Sequence, residues 1–117
     1  MPEQEQQPTL ANAIETEWVR GYARTYFPSE APFTYRPALL RRKRITLVDI
    51  RNALRSGVVT FSDKCDGPGA IWVVEGDDAD GRRIVVTLHV VSETMSVTLQ
   101  DVEVVRSIEK GGDNDAA

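Results

Sequence analysis

Cysteine and histidine are nearly missing from this chain of 117 residues: Cys65 is its only cysteine and His89 its only histidine. One cysteine excludes an internal disulfide, which suits a reducing cytoplasm. Neither residue has ligand-spaced neighbours, which argues against a zinc site. No apolar run approaches the roughly 20 residues needed to cross a bilayer, so no membrane partner is expected. Met1 to Gln7 is too polar and acidic for a secretory signal. Gly67-Pro68-Gly69 lacks the lysine and following helix of a phosphate loop. A calcium loop ending on Asp80-Gly81 would begin at Gly76, which offers no side-chain ligand. The acidic stretch Glu75 to Asp80 is therefore read as a hairpin turn whose charges serve solubility. No metal or cofactor is expected.

What the chain does have is segregated charge. The net charge is −4, but residues 1–8 and 109–117 hold five acids and one base. Setting those aside leaves 13 acids and 13 bases, so the body is neutral. Residues 36–55 hold seven bases (Arg36, Arg41, Arg42, Lys43, Arg44, Arg51, Arg55) against one acid, Asp49. Residues 75–80 hold four acids and no base. Separation of this kind creates local fields that steer partners. The basic run can contact phosphates, dock an acidic protein or simply face solvent.

The order of elements predicts an α+β fold. Residues 1–8 and 109–117 have the composition of solvated, disordered tails, leaving one domain over 9–108. Pro8-Thr9 opens a first helix, and Leu10, Ile14, Trp18, Tyr22 and Tyr26 recur at four-residue spacing as its apolar stripe. Pro28 ends it. Phe33 to Arg36 reads as extended before Pro37, which starts a short helical turn through Arg42 with Leu39 and Leu40 inward. A further helix over about 46–56 is strongly punctuated. Thr46 is its N-cap, Asp49 completes a capping box, Ile45 and Ile50 form a staple, and Gly57 is the stop.

After Gly57 the apolar period changes to two. Strands are predicted over 58–61, 70–75, 82–91 and 95–105, the last bent at Asp101, with a loop over 62–69 and turns at 76–81 and 92–94. This gives N-terminal helices packed on one face of a mainly antiparallel four-stranded sheet. Matching apolar to apolar in the last hairpin puts Ile84, Val86, Leu88, Val97 and Leu99 beneath the helices. His89, Thr87, Ser96, Thr98 and Gln100 then share the opposite face, which reads as polar and uncharged. His89 is the natural candidate there for proton transfer near neutral pH.

The stretch Ile45-Thr46-Leu47-Val48-Asp49-Ile50-Arg51-Asn52-Ala53-Leu54-Arg55-Ser56-Gly57, then Ile71 to Gly76, Arg83 to Val91 and Ser96-Val97-Thr98, resembles a family of small bacterial proteins. These are related to the RelE-like and BrnT-like ribonuclease toxins. The resemblance runs from about Tyr35 to Thr98. It implies helices before a small antiparallel sheet, and action on RNA. Relatives carry a catalytic His and Arg where this chain has Tyr35 and Leu39, whereas Thr98 matches their late threonine. The resemblance therefore implies a protein that has lost catalysis, or most of it, and binds RNA or an RNA–protein assembly through Arg36, Arg41, Arg42, Lys43 and Arg44. Two alternatives stay open. One is an interaction or inhibitor protein of a mobile element or toxin–antitoxin-like locus, bound to a host or cognate protein. The other is a metal-independent endoribonuclease that uses Tyr35, Arg41, His89 and Thr98. Oligomeric state is not legible.

Overall fold

The computed structural model describes residues 12–25 and 33–106. The tails assigned to 1–8 and 109–117, and the stripe positions Leu10 and Tyr26, lie outside the described residues. Among these residues the fold is α+β: three α-helices, α1 (Ala13–Thr25), α2 (Pro37–Lys43) and α3 (Leu47–Ser56), lie on one face of a sheet. Its strands are β1 (Phe33–Thr34), β2 (Val58–Lys64), β3 (Ala70–Asp77), β4 (Arg83–Val91) and β5 (Ser96–Arg106).

The sheet has five strands rather than the expected four, in the order β1-β5-β4-β3-β2. Strands β2 to β5 form the antiparallel meander. The addition is β1, which pairs parallel to β5 through Phe33–Val97 and Thr34–Thr98 and makes the sheet mixed. Two residues are too few to show a period of two, so the extended stretch before Pro37 gave no sign of a pairing partner.

Helix α3 forms as its punctuation dictates. Thr46 Oγ1 accepts the backbone N–H of Asp49 at 3.2 Å, and Asp49 Oδ2 accepts that of Thr46 at 2.9 Å. Ile45 and Ile50 are both buried in the core. Gly57 is needed for proximity, not for a left-handed turn. Its backbone is extended, and a Cβ there would lie 2.4 Å from the Ala53 carbonyl oxygen. Gly76 on β3 meets the same oxygen at the same distance, so α3 rests directly on the sheet backbone.

Helix α1 buries Tyr22 and packs Trp18 against the core as its stripe predicts, but Ile14 is 83% exposed and Thr16, Val19 and Ala23 are buried instead. Four-residue steps advance roughly 40° around a helix of 3.6 residues per turn, so a strict four-residue stripe drifts off any one face. Burial of Thr16 has a local cause. Its Oγ1 accepts the Val59 N–H at 2.9 Å, and Asn12 Nδ2 donates to the Val59 carbonyl at 3.3 Å. Both groups belong to edge strand β2, whose backbone α1 thereby covers. Arg20 Nε donates to the Gly57 carbonyl at 2.8 Å, closing the C-terminus of α3.

The core lies between helices and sheet. It takes Val59, Trp72, Val74, Ile84, Val86, Leu88, Val90, Val97, Leu99 and Val102 from the strands, and Val19, Tyr22, Leu39, Leu40, Ile50 and Leu54 from the helices. The inward set deduced for the last hairpin is thus buried. A bulge shifts the β4–β5 register between Leu88–Leu99 and Thr87–Asp101, leaving Gln100 as the extra residue. The expected bend falls there, one residue before Asp101. Strands β2 and β3 also run further than expected, so the loop is only 65–69 and Gly76 and Asp77 remain in the ladder.

Candidate functional site

The basic segment wraps the β5 side of the domain. Arg36, the N-cap position of α2, sends Nη2 to the Gln100 carbonyl at 3.1 Å and so satisfies the bulge. Lys43 Nζ lies 2.7 Å from Glu103 Oε2. Arg41, Arg42 and Arg44 are exposed, and among the described residues their guanidinium groups have no hydrogen-bond or ion-pair partner. The same holds for Arg51 and Arg55 on α3, of which Arg51 is half-buried and Arg55 exposed. The seven bases therefore divide into two that hold the fold and five whose donors have no protein partner among the described residues.

Arg44 has a backbone to match. It closes α2 in the left-handed region, at φ 60° and ψ 45°, with its N–H on the Arg41 carbonyl at 3.2 Å. Its own carbonyl accepts Arg82 Nη2 at 3.3 Å. Arg82 belongs to the turn between β3 and β4 and is tied in by its ion pair with Asp78. The three consecutive-run arginines thus leave a helix end that is held in place from the neighbouring hairpin.

That hairpin corrects the reading of the acidic turn as solvated charge. Asp78 is 2% exposed. Its Oδ1 accepts the N–H groups of Asp80 at 2.9 Å and Arg82 at 2.8 Å. Asp49 Oδ1 accepts the Ala79 N–H at 3.1 Å, and Asn52 Nδ2 donates to the carbonyls of Asp77 and Asp78. The carboxylates of Asp49, Asp78 and Asp80 approach within 4.8 Å of one another. Those of Asp49 and Asp78 are already engaged by backbone donors and Arg82, so the cluster is a clasp between α3 and the turn. An Asp four residues before an Arg, spanning Asp80-Gly81, was the signal for it.

The three candidate catalytic residues are split between the two faces of the sheet. His89 and Thr98 are cross-strand partners on the face away from the helices. Phe33 is in register with buried Val97, hence on the helix face. Tyr35 packs with Phe33 at a ring separation of 5.7 Å and against the core. The sheet therefore lies between Tyr35 and His89. His89 Nε2 is also 2.9 Å from the Pro68 carbonyl, so that nitrogen carries a proton and donates it.

The face that holds His89 is neither as polar nor as uncharged as expected, because Phe61, Ile71, Val73 and Val85 stand on it together with Asp63 and Asp101. Register places Phe61 beside Val73, Val73 beside Thr87, and Thr87 beside Asp101. The next row runs Asp63, Ile71, His89, Thr98. Phe61 is 50% exposed and the rest are half-buried or exposed. A separate pocket of about 310 Å³ opens beneath the 65–69 loop, lined by Lys64, Cys65, Trp72, Val90, Ser92 and Glu93, and none of the sequence-predicted site residues borders it.

Among the described residues no helix is long and apolar enough to cross a membrane. Compared with protein-family models, curated proteins and solved structures, the chain matches none.

Proposed function

We propose that this chain is a binding protein rather than a nuclease, and that it engages RNA, alone or in an RNA–protein assembly, by phosphate contacts from Arg41, Arg42 and Arg44. One observation carries this reading: three exposed guanidinium groups at one helix end with no carboxylate partner among the described residues. A guanidinium presents a planar fork of donors that matches phosphate oxygens. The neutral body and net charge of −4 are consistent with contact through a local patch, not a wholly basic surface. Separation of Tyr35 from His89 and Thr98 favours binding without cleavage, because a general acid and a general base must both reach one phosphodiester. Arg51 and Arg55 extend the same positive potential along α3.

The test uses the full chain and a labelled RNA containing both duplex and single-stranded segments. Binding and cleavage are followed together as salt rises, beside the Arg41→Glu/Arg42→Glu/Arg44→Glu variant. Three phosphate contacts give a slope of log affinity against log salt of about −2 to −3. The variant loses that binding and the RNA stays intact. Affinity that does not change with salt, or binding unchanged in the variant, refutes the proposal.

A further inference from the structure

All three helices lie on one face of the sheet, and the described residues leave the other without a covering layer. Its centre is an apolar strip along β3 and β4. Ile71 and Val73 stand on β3, and Val85 stands one row along β4, with Phe61 beside Val73 on β2. Thr87 and His89 complete the β4 side. Half-exposed β-branched and aromatic side chains grouped in this way are a surface that water solvates poorly.

The flanks are acidic. Asp63 stands on β2 and Asp101 on β5, one on each side of the strip. Neither has a partner among the described residues. Glu75 and Glu103 lie one row further along and are met by Arg83 and Lys43. Asp63 and Asp101 are three strand spacings apart, about 14 Å across the sheet. An α-helix is roughly 10–12 Å wide with its side chains. The eight residues of β3 span about 26 Å, the length of a helix of about 18 residues.

We infer that this open sheet face docks a cationic amphipathic helix of a partner protein. The helix lies along β3 and β4, its apolar side on Phe61, Ile71, Val73 and Val85, and its flanking lysines or arginines reach Asp63 on one side and Asp101 on the other. This surface is on the far side of the sheet from the core that α2 packs into, and its charge is opposite to that of Arg41, Arg42 and Arg44. The two inferences therefore stand or fall separately.

Two synthetic helices of about 18 residues test it, sharing one leucine face and carrying either lysines or glutamates on the flanks. Each is titrated into the isotope-labelled full chain. The lysine helix binds, and amide shifts change at Phe61, Ile71, Val73, Val85 and Thr87 but not on α2. Asp63→Lys/Asp101→Lys weakens that binding by about tenfold, through the loss and reversal of two exposed charge contacts, without lowering the unfolding temperature. Arg41→Glu/Arg42→Glu/Arg44→Glu does not weaken it. Three outcomes overturn the inference. The first is equal binding of the glutamate helix, and the second is shifts that map to the helical side. The third is a chain that sediments alone as a dimer and is dispersed by Phe61→Ser/Val73→Ser, which would make a second copy the occupant.

Discussion

Asp78 is held by Arg82 at both carboxylate oxygens: the Arg82 backbone N–H donates to Oδ1 at 2.8 Å and the guanidinium Nε donates to Oδ2. No part of the Asp78 side chain is exposed, whereas Arg82 is 26% exposed. The pair fixes the shape of the β3–β4 turn, which is fastened to the helices by the Asp49 carboxylate on the Ala79 N–H, by Asn52 on the Asp77 and Asp78 carbonyls and by Arg82 on the Arg44 carbonyl. Removing a buried acceptor strands its donors away from water. Asp78→Ala takes the acceptor from the Asp80 and Arg82 N–H groups and from Arg82 Nε at once, which costs about 2–4 kcal/mol. Asp78→Asn keeps one oxygen acceptor and loses less. Urea unfolding of the three proteins gives the ranking. An alanine variant within about 0.5 kcal/mol of the parent would show that the turn is not fastened this way.

Glycines at two places have opposite consequences. A Cβ on Gly76 would lie 2.4 Å from the Ala53 oxygen and 3.0 Å from its Cα, all backbone of a packed helix. Gly76→Ala therefore forces α3 off the sheet and destabilises by about 1–3 kcal/mol. Gly21 lies within α1, and nothing stands within 4 Å of a Cβ built there. Gly21→Ala removes unfolded-chain entropy and stabilises by roughly 0.5–1 kcal/mol. Thermal unfolding of both variants checks the sign of each. The same sign for both would refute the close helix–sheet contact at Ala53.

The residues that could be read in advance are those whose signal is local. Thr46 and Asp49 are three apart, and the capping box needs nothing else. Ile84, Val86 and Leu88 alternate along one strand, so their shared face followed from the pleat. What was not legible depends on partners distant in sequence. Thr16 is buried because of Val59, 43 residues away. Asp78 is buried because α3 brings Asp49 and Asn52 over it. Tyr35 falls on the helix face because β1 pairs with β5, a pairing of two residues with no periodicity to announce it. The candidate site shows the same division. Local exposure of the Arg41–Arg44 run followed from four consecutive bases that cannot all turn inward. The separation of Tyr35 from His89 required the sheet order.

Alkaline pH should act through Tyr22. Its ring is 2% exposed and stacks on Trp18 at 5.4 Å. Burial pushes its phenol from 10.0 up to about 12. Below pH 10 both folded and unfolded chains keep the proton, and stability does not depend on this group. Between pH 10 and about 12 the unfolded chain loses the proton and the folded chain keeps it, so stability falls as pH rises. The loss amounts to about 2 kcal/mol by the upper end of that window. Tyr22→Phe removes the titration. The stability of the parent minus that of the variant should be level below pH 9–10 and decline above it, by roughly that amount. Urea unfolding across this range measures the difference directly. A difference that stays level up to pH 12 would mean that the phenol ionises while folded.

Arg44 separates stability from binding. Its left-handed backbone, φ 60°, costs a non-glycine residue about 1–2 kcal/mol. Glycine adopts that conformation freely, but adds unfolded-chain entropy of about 0.5–1 kcal/mol. Arg44→Gly is therefore at least as stable as the parent, and gains up to about 1 kcal/mol. The Arg82 contact survives, because Arg82 Nη2 donates to the Arg44 carbonyl and not to its side chain. Arg44→Val keeps the backbone demand and adds a branched Cβ, so it is less stable than the parent by about 1 kcal/mol or more. Both variants lose one guanidinium, and both should lower the salt dependence of RNA binding by somewhat less than one in the log–log slope. Weaker binding in a glycine variant of undiminished stability assigns the effect to the guanidinium, because the fold that carries it is intact. Unchanged binding in the glycine variant would remove Arg44 from the contact surface and leave Arg41 and Arg42 to account for it.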